Sequence, residues 1–561
     1  MPTCKQCNQP FILGQIGTDI LRRLDVPEPS VCDVCAVRQL MAFRNERTFY
    51  SSQCQKCSKT ILSMYPPDTA LSVYCRDCWW GDTWDGTQFG RVYRGPETFF
   101  QELAELQKVV PREGLVNLNS PDCDYCNHVR DCKSCYMCSL LSDQCEECYY
   151  CYWIVTVKDS AACYYGRNNQ RCYFCVATIQ SYGCSYVLEC ENCLDCHYSF
   201  DLRGCKNCMF SSNLRNQQYV FENQQLTKTE YETRAAAVNR GSWQQSRDSV
   251  QRWHQLIDQA VKAYSYQSKC ENSTGDNIQS SVNTQLAYNS FEDENAYNAA
   301  SVICAKNIFN GFAVGSQPTE WASNIAVVKG GTQIVSCFNT AYSSDIYFCE
   351  NLISCMDCIG CIGLHKKKYC ILNTQYEEEE YKKIKAELLG YLRQSGALSE
   401  FFPKSFSPFA YNETAAQDFY PLTKEQAVQL DYTWKDELPG TFGHETLPAD
   451  GVPDRIAEVN DDILRQTLAC IHCGRNFKLI KQELTLYRSL GVPIPRECFN
   501  CTLRQRLDLM GERDLRERQC DCTRAEHQQH QGKTCQNKFL TKYTAKDKKV
   551  YCEECYQKEI Y

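Results

Sequence analysis

Long apolar runs are missing from this chain. No stretch reaches the roughly 18 consecutive apolar residues that a membrane-spanning helix needs, so an integral helical membrane protein is excluded. The opening MPTCKQCNQPFILGQ lacks a basic stretch followed by an apolar one, and no secretory signal is expected. A basic surplus is missing too. The net charge is −8 over 561 residues, which argues against a protein that coats nucleic acid over its whole surface. Histidine and methionine are scarce, at eight and seven. There is no Walker-type loop, Gly-x-Ser-x-Gly elbow, His-Glu-x-x-His motif or dinucleotide fingerprint. The expectation is therefore a non-enzymatic protein. Carbohydrate chemistry, which solenoid folds host, would need a convergent set of carboxylates that the sequence does not display.

Cysteine is what the chain has in abundance, with 42 residues. A disulfide scaffold and a reduced, metal-binding protein are the two ways to use so many. A chain of this length can build cores without disulfide staples. With no export signal expected, the setting is cytoplasmic and metal is the expected use of paired thiols; Asn412-Glu-Thr then carries no glycan.

The paired thiols lie in two arrays that match position by position. Cys4-x-x-Cys7 and Cys32-x-x-Cys35 are separated by the same interval as Cys470-x-x-Cys473 and Cys498-x-x-Cys501. Cys54-x-x-Cys57 and Cys75-x-x-Cys78 follow the first set. Phe11 answers Phe477, Val26-Pro27 answers Val492-Pro493, Glu46-Arg47 answers Glu512-Arg513, and Val73-Tyr74-Cys75 answers Val550-Tyr551-Cys552. Two Cys-x-x-Cys turns complete a tetrahedral Zn²⁺ site. The first site, with AVRQLMAFRNE after Cys35, reads as a treble clef whose second ligand pair starts a helix. The second, whose pairs stand closer together and whose last pair follows Ser72-Val73-Tyr74, reads as a zinc ribbon of hairpins. In the C-terminal copy the last site is altered by the insertion TRAEHQQHQGKT, leaving Cys520, Cys522, Cys535, Cys552 and Cys555 for four positions. The expected ligands are Cys522, Cys535, Cys552 and Cys555, with Cys520 the substitute for Cys522. His527 and His530 read as solvated loop residues, a second metal being the alternative. About four zinc ions are expected in all.

Between the arrays, residues 123–208 carry 17 cysteines among many tyrosines. Cys151, Cys172 and Cys193 recur at an even interval of 21. Cys163, Cys184 and Cys205 share it, and later so do Cys337 with Cys358 and Cys349 with Cys370. The opening interval is 22, from Cys123 to Cys145. A period near 20 with Asn, Asp and Gly turns suggests a parallel β-solenoid. Cys208 and Cys358 are each followed by like endings, ENQQLTKTEY and LNTQYEEEEY, which open helices at Thr227 and Glu377. The cysteines inside are expected to be small buried side chains. A metal-storage or iron–sulfur redox use of runs such as Cys190/Cys193/Cys196 is the alternative. Trp243, Trp253, Leu256 and Ile257 are expected to cover a solenoid end or side.

The fold expected is mainly β with α: two parallel β-solenoid segments with helical caps, flanked by duplicated treble-clef and zinc-ribbon modules. The boundaries expected are a double zinc module at 1–90, a solenoid at 91–225, a helical connector at 226–269 and a second solenoid at 270–375. A helix at 376–398, a linker at 399–465 and the second double zinc module at 466–561 complete the chain.

The strings AFRNER (42–47), VYCRDCWW (73–80), YCILNTQY (369–376), SPFAYNETAAQDFYPLTKEQA (407–427), IKQELTLYRSLGVPIPR (480–496) and VYCEECY (550–556) make the chain resemble cysteine-rich zinc-ribbon/β-solenoid proteins of genome-reduced candidate-phyla bacteria. The resemblance runs over nearly the whole length and implies no activity or substrate. The role expected is a zinc-binding scaffold or recognition protein whose modules contact nucleic acid or a nucleoprotein assembly. Arg38, Arg44, Arg47, Arg504, Arg506 and Arg513, after the knuckles, are the candidate contacts. Pairing of Arg47 and Arg513 with nearby acids is the competing use. From residue 470 onward, 18 Lys and Arg face 12 Asp and Glu, and two tetrathiolate sites would cancel most of that excess.

Overall fold

Asn, Asp and aromatic residues recur every third position in the central chain, and the backbone follows that period. In the computed structural model, which describes all residues except 301–304, 314, 316, 528–529 and 531–532, every third residue from Asn119 to Glu222 has φ near +50°. The same holds through most of 269–372. A left-handed residue costs about 1–2 kcal/mol when it bears a side chain. Here the cost is offset by the ladder: Asn168, Gln180 and Asn192 donate their amides to Val155, Arg167 and Ile179 at 3.0, 2.8 and 3.0 Å. Among residues that bear a side chain, asparagine tolerates this conformation well, and here it stacks on itself, Asn298 to Asn310 at 2.8 Å and Asn310 to Asn324 at 3.2 Å.

The register is set by the same triplet. Tyr173, Ser185, His197 and Met209 are successive parallel partners, each four triplets beyond the last. Ser344, Met356 and Lys368 repeat that step. The even recurrence of Cys151, Cys172 and Cys193 is therefore seven triplets, not one turn of chain. The longer opening interval comes from a single extra residue, where Asp143 and Gln144 are both left-handed and Ser139 pairs with Tyr152, one position beyond the regular step. Residues that follow a left-handed position point to the core. In the first segment they are Cys163, Cys172, Cys175, Cys184, Cys193 and Cys205 with Val157, Val187 and Leu202. In the second, Ala299, Ile308, Ile325 and Ile334 hold the positions that Cys349, Cys358 and Cys370 take later.

The described residues thus form a mixed α/β protein with a 14-stranded and a nine-stranded sheet, both mostly parallel. Each sheet closes on a two-residue hairpin turn, at Glu222-Asn223 and Leu372-Asn373, with both residues left-handed. Thr227 then caps the helix Lys228–Ala237 with a capping box to Glu230, and Glu377 precedes the helix Glu378–Gln394.

The chain divides into two compact units. One comprises residues 1–115, 265–438 and 513–515, and so joins the N-terminal array to the nine-stranded sheet. Much of the stretch read as a linker belongs to its core. Phe401, Phe402, Phe406 and Phe409 are buried, Gln39 Nε2 donates to the Phe402 carbonyl at 2.8 Å, and the Ala415 amide donates to the Arg44 carbonyl at 2.9 Å. Aromatic residues at this density cannot stay solvated in a spacer.

The other unit comprises residues 116–264, 439–512 and 516–561. The helix Trp243–Gln259 lies along its sheet's side: Trp253 is fully buried and its Nε1 donates to the Ser199 carbonyl at 3.0 Å.

Both units repeat a local device. Val73–Tyr74 pairs in parallel with Arg112–Glu113, and Val550–Tyr551 with Lys262–Ala263. The buried cations do the same task. Arg112 Nη1 donates to the Gln107 and Val110 carbonyls, and Lys262 Nζ to those of Ile257 and Ala260. Arg112 also meets Glu350 through two hydrogen bonds of 2.7 and 2.8 Å, with both side chains buried. Removing one member strands the other charge, so Arg112→Ala is expected to cost about 3–5 kcal/mol, read as a lower urea midpoint.

Glu483 gives a pH signature. Its carboxyl is fully buried and accepts from the Ile480 amide at 2.6 Å, Tyr150 Oη at 3.1 Å and Tyr487 Oη at 3.0 Å. Burial still dominates and pushes its pKa up to about 7. A raised carboxyl stabilises the fold fully only below its unfolded value near 4.5, and that contribution fades as pH rises through about 7. Glu483→Gln is therefore expected to melt higher than wild type at pH 8, with the difference closing at pH 5. A gap that is equal at both pH values contradicts this.

Candidate metal centres

Each Cys-x-x-Cys turn is built by its own backbone. The amides of Cys4, Cys54, Cys470 and Cys520 donate to the carbonyls of Gln9, Lys59, Arg475 and Asn537, all at 2.9 Å. The first cysteine of each second pair stands at a helix N-cap: Cys32 before Asp33–Met41, Cys75 before Arg76–Trp79, Cys498 before Phe499–Met510 and Cys552 before Glu553–Ile560. There the free amides and the helix dipole favour thiolate. The two sites read as hairpin ribbons thus carry their second pair on a helix. Hairpins flank only their first pair, Tyr50–Gln53 with Thr60–Ser63 and Arg516–Gln519 with Lys538–Thr541.

The structure brings together Cys4, Cys7, Cys32 and Cys35; Cys54, Cys57, Cys75 and Cys78; Cys470, Cys473, Cys498 and Cys501; and Cys520, Cys535, Cys552 and Cys555. Within each group the sulfurs lie within 4.8 Å of one another. Close pairs are Cys7–Cys32 and Cys473–Cys498 at 3.6 Å, Cys57–Cys75 at 3.8 Å and Cys535–Cys552 at 4.0 Å. A zinc ion bonded to sulfur at about 2.3 Å in a tetrahedron needs sulfurs roughly 3.8 Å apart, whereas a disulfide needs about 2.05 Å. The donor set fits Zn²⁺. Burial opposes ionisation of Cys54 and Cys470, but backbone amides around them, including those of Cys75 and Cys498, lower the thiols to about 6 and about 7.

The altered site departs from expectation. Cys520, not Cys522, takes the place of Cys54: the Cys552 amide donates to Cys520 Sγ at 3.2 Å, as the Cys75 amide does to Cys54 Sγ at 3.2 Å. The amides of Asp521 and Gln55 likewise meet the carbonyls of Val550 and Val73, both at 3.0 Å. The interval of 19 from Cys501 to Cys520, the same as from Cys35 to Cys54, marks this position. Nor are His527 and His530 solvated, since both are buried. They lie with Cys522 and Cys555 in a fifth group.

The arginines are mostly turned inward. Arg44 is buried against Glu46 at 3.1 Å and lies over the Phe312 ring. Arg47 bonds Asp418, and Arg513 packs 3.8 Å from the Phe419 ring centre. Arg38 reaches Cys35 Sγ at 3.5 Å. Arg506 is fully buried and donates to the Tyr150 and Cys163 carbonyls at 2.9 and 3.1 Å. Burial lowers its pKa to about 10. Of the six, Arg504 leaves half of its side chain to solvent, paired with Asp508 at 2.6 Å. Arg44, Arg506 and Arg513 thus present no guanidinium face to a phosphate; residue type and helix position did not carry that information.

Central cysteines join no such group among the described residues. Their thiols donate to carbonyls two residues back and nine ahead, as Cys175 does to Tyr173 at 3.5 Å and Cys184 at 3.3 Å. Burial holds Cys175 and Cys190 well above the ordinary thiol range.

No protein-family model and no curated protein matches the chain. Among the described residues, no helix is long and apolar enough to cross a membrane.

Arg506→Ala is expected to lower stability by about 1–3 kcal/mol, since two buried carbonyls lose their donor. Arg504→Ala should stay within about 0.5 kcal/mol of wild type. Equal losses in chemical denaturation would overturn this division.

Proposed function

We propose that the chain is a non-enzymatic, cytoplasmic zinc-binding scaffold. Its metal sites stabilise two copies of one module, each serving a body built as a parallel β-solenoid. Support for winding comes from the four-triplet parallel step and from the alternation of pairing: Lys158–Ala161 pairs with Glu146–Tyr149, while Tyr164–Arg167 pairs with Tyr152–Val155. The observation that carries the zinc reading is the recurrence of four tetracysteine groups at equivalent positions in the duplicated modules. Four protein sulfurs fill a zinc ion's coordination and leave no position for substrate, which marks a structural site rather than a catalytic one. Storage or redox use of the central thiols gains no such support, because they are spent as core side chains and carbonyl donors.

Elemental analysis of full-length protein purified without oxygen tests this. At least four zinc ions per chain are expected, and chelation should lower the melting temperature, since such modules fold on their metal. Metal-free protein, or iron with sulfide, would overturn the reading.

A further inference from the structure

The insertion Thr523–Thr534 separates Cys520 from Cys535, whereas Cys54 and Cys57 stand three apart. It brings two of the chain's eight histidines. Thr523, Arg524, Ala525 and Glu526 are exposed, yet His527, His530 and the preceding Cys522 are buried. Such burial of imidazoles in a polar loop needs a partner. Cys522 Sγ lies 3.1 Å from His527 Nδ1, and Cys555 Sγ lies 3.6 Å from His530 Nε2. One ligand atom from each of the four residues falls within 4.8 Å of the others. With zinc–nitrogen bonds of about 2.0–2.1 Å and zinc–sulfur bonds of about 2.3 Å, a tetrahedral edge between nitrogen and sulfur is roughly 3.6 Å.

Cys555 belongs to both this group and the group of Cys520, Cys535 and Cys552. We propose that these seven residues form a two-zinc centre in which the Cys555 thiolate bridges the metals. One zinc takes Cys520, Cys535, Cys552 and Cys555; the other takes Cys522, His527, His530 and Cys555. Seven side chains then supply eight bonds, and both ions reach four-coordination. The charge favours it too. A lone tetrathiolate zinc carries −2, whereas five thiolates around two Zn²⁺ leave −1, less to bury. The N-terminal module has no counterpart, so the centre is particular to the C-terminal copy. It fastens the inserted loop to the helix Glu553–Ile560 through the residue that both metals share.

The proposal rests on zinc occupancy of the tetracysteine groups and is tested on the full chain. Native mass spectrometry of protein purified without oxygen is expected to show five zinc ions. Cys522→Ala and the double variant His527→Ala/His530→Ala should each show four, and retention of those four reports that the modules still fold. After exchange with ¹¹³Cd, the two metals of the centre should give resonances that split one another through the shared sulfur. Four zinc ions in wild type, or five that persist in the double variant, would overturn the fifth position. Unsplit resonances from five bound cadmium ions would overturn the bridge. Metal-free wild-type protein would instead sink the zinc reading itself.

Discussion

A backbone that turns left-handed at every third residue can pair with its own next strand only when those residues fall in step. Both large sheets depend on that constraint. Keeping the step at four whole triplets lets most positive-φ amides find a carbonyl in the neighbouring strand, and it brings like positions together. The interior then receives one side chain per triplet. Cysteine, alanine, valine, isoleucine and leucine fill that role interchangeably along the two segments. Cysteine is one member of the set, chosen for size and low polarity. Its thiol has the added use of donating to a carbonyl that faces it across the interior.

The thiols at the two ends obey different physics. They sit on tight turns and helix starts, where backbone amides point at sulfur, and they converge in fours. Backbone amides also reach some core sulfurs, that of Cys138 to Cys126 Sγ at 3.4 Å and that of Cys349 to Cys337 Sγ at 3.3 Å, so convergence in fours is what sets the terminal cysteines apart from the packing ones.

The duplicated modules share more than ligands. Val73–Tyr74 and Val550–Tyr551 each pair with a short strand led by a buried cation, Arg112 or Lys262, which ties off the carbonyls ending the preceding helix. Neither cation could be singled out from composition, because Lys and Arg are ordinarily surface residues. The same blindness affected Arg44, Arg506 and Arg513, whose positions after a knuckle suggested exposure until packing was known. The triplet was nearly legible. The two cysteine intervals are its multiples with and without one insertion, but a spacing alone does not say how many triplets make a turn.

Cys-x-x-Cys spacing by itself determined the first three cysteine quartets, because a pair on a tight turn needs only local geometry and the matching arrays repeat it. The like endings ENQQLTKTEY and LNTQYEEEEY and the helix starts at Thr227 and Glu377 were likewise local and readable. Tertiary structure decided what spacing could not: Cys520 over Cys522, the burial of His527 and His530, the burial of Phe401, Phe402, Phe406 and Phe409, and the inward arginines. Each of these depends on which segment packs against it, and such contacts leave no periodic trace in the chain that makes them.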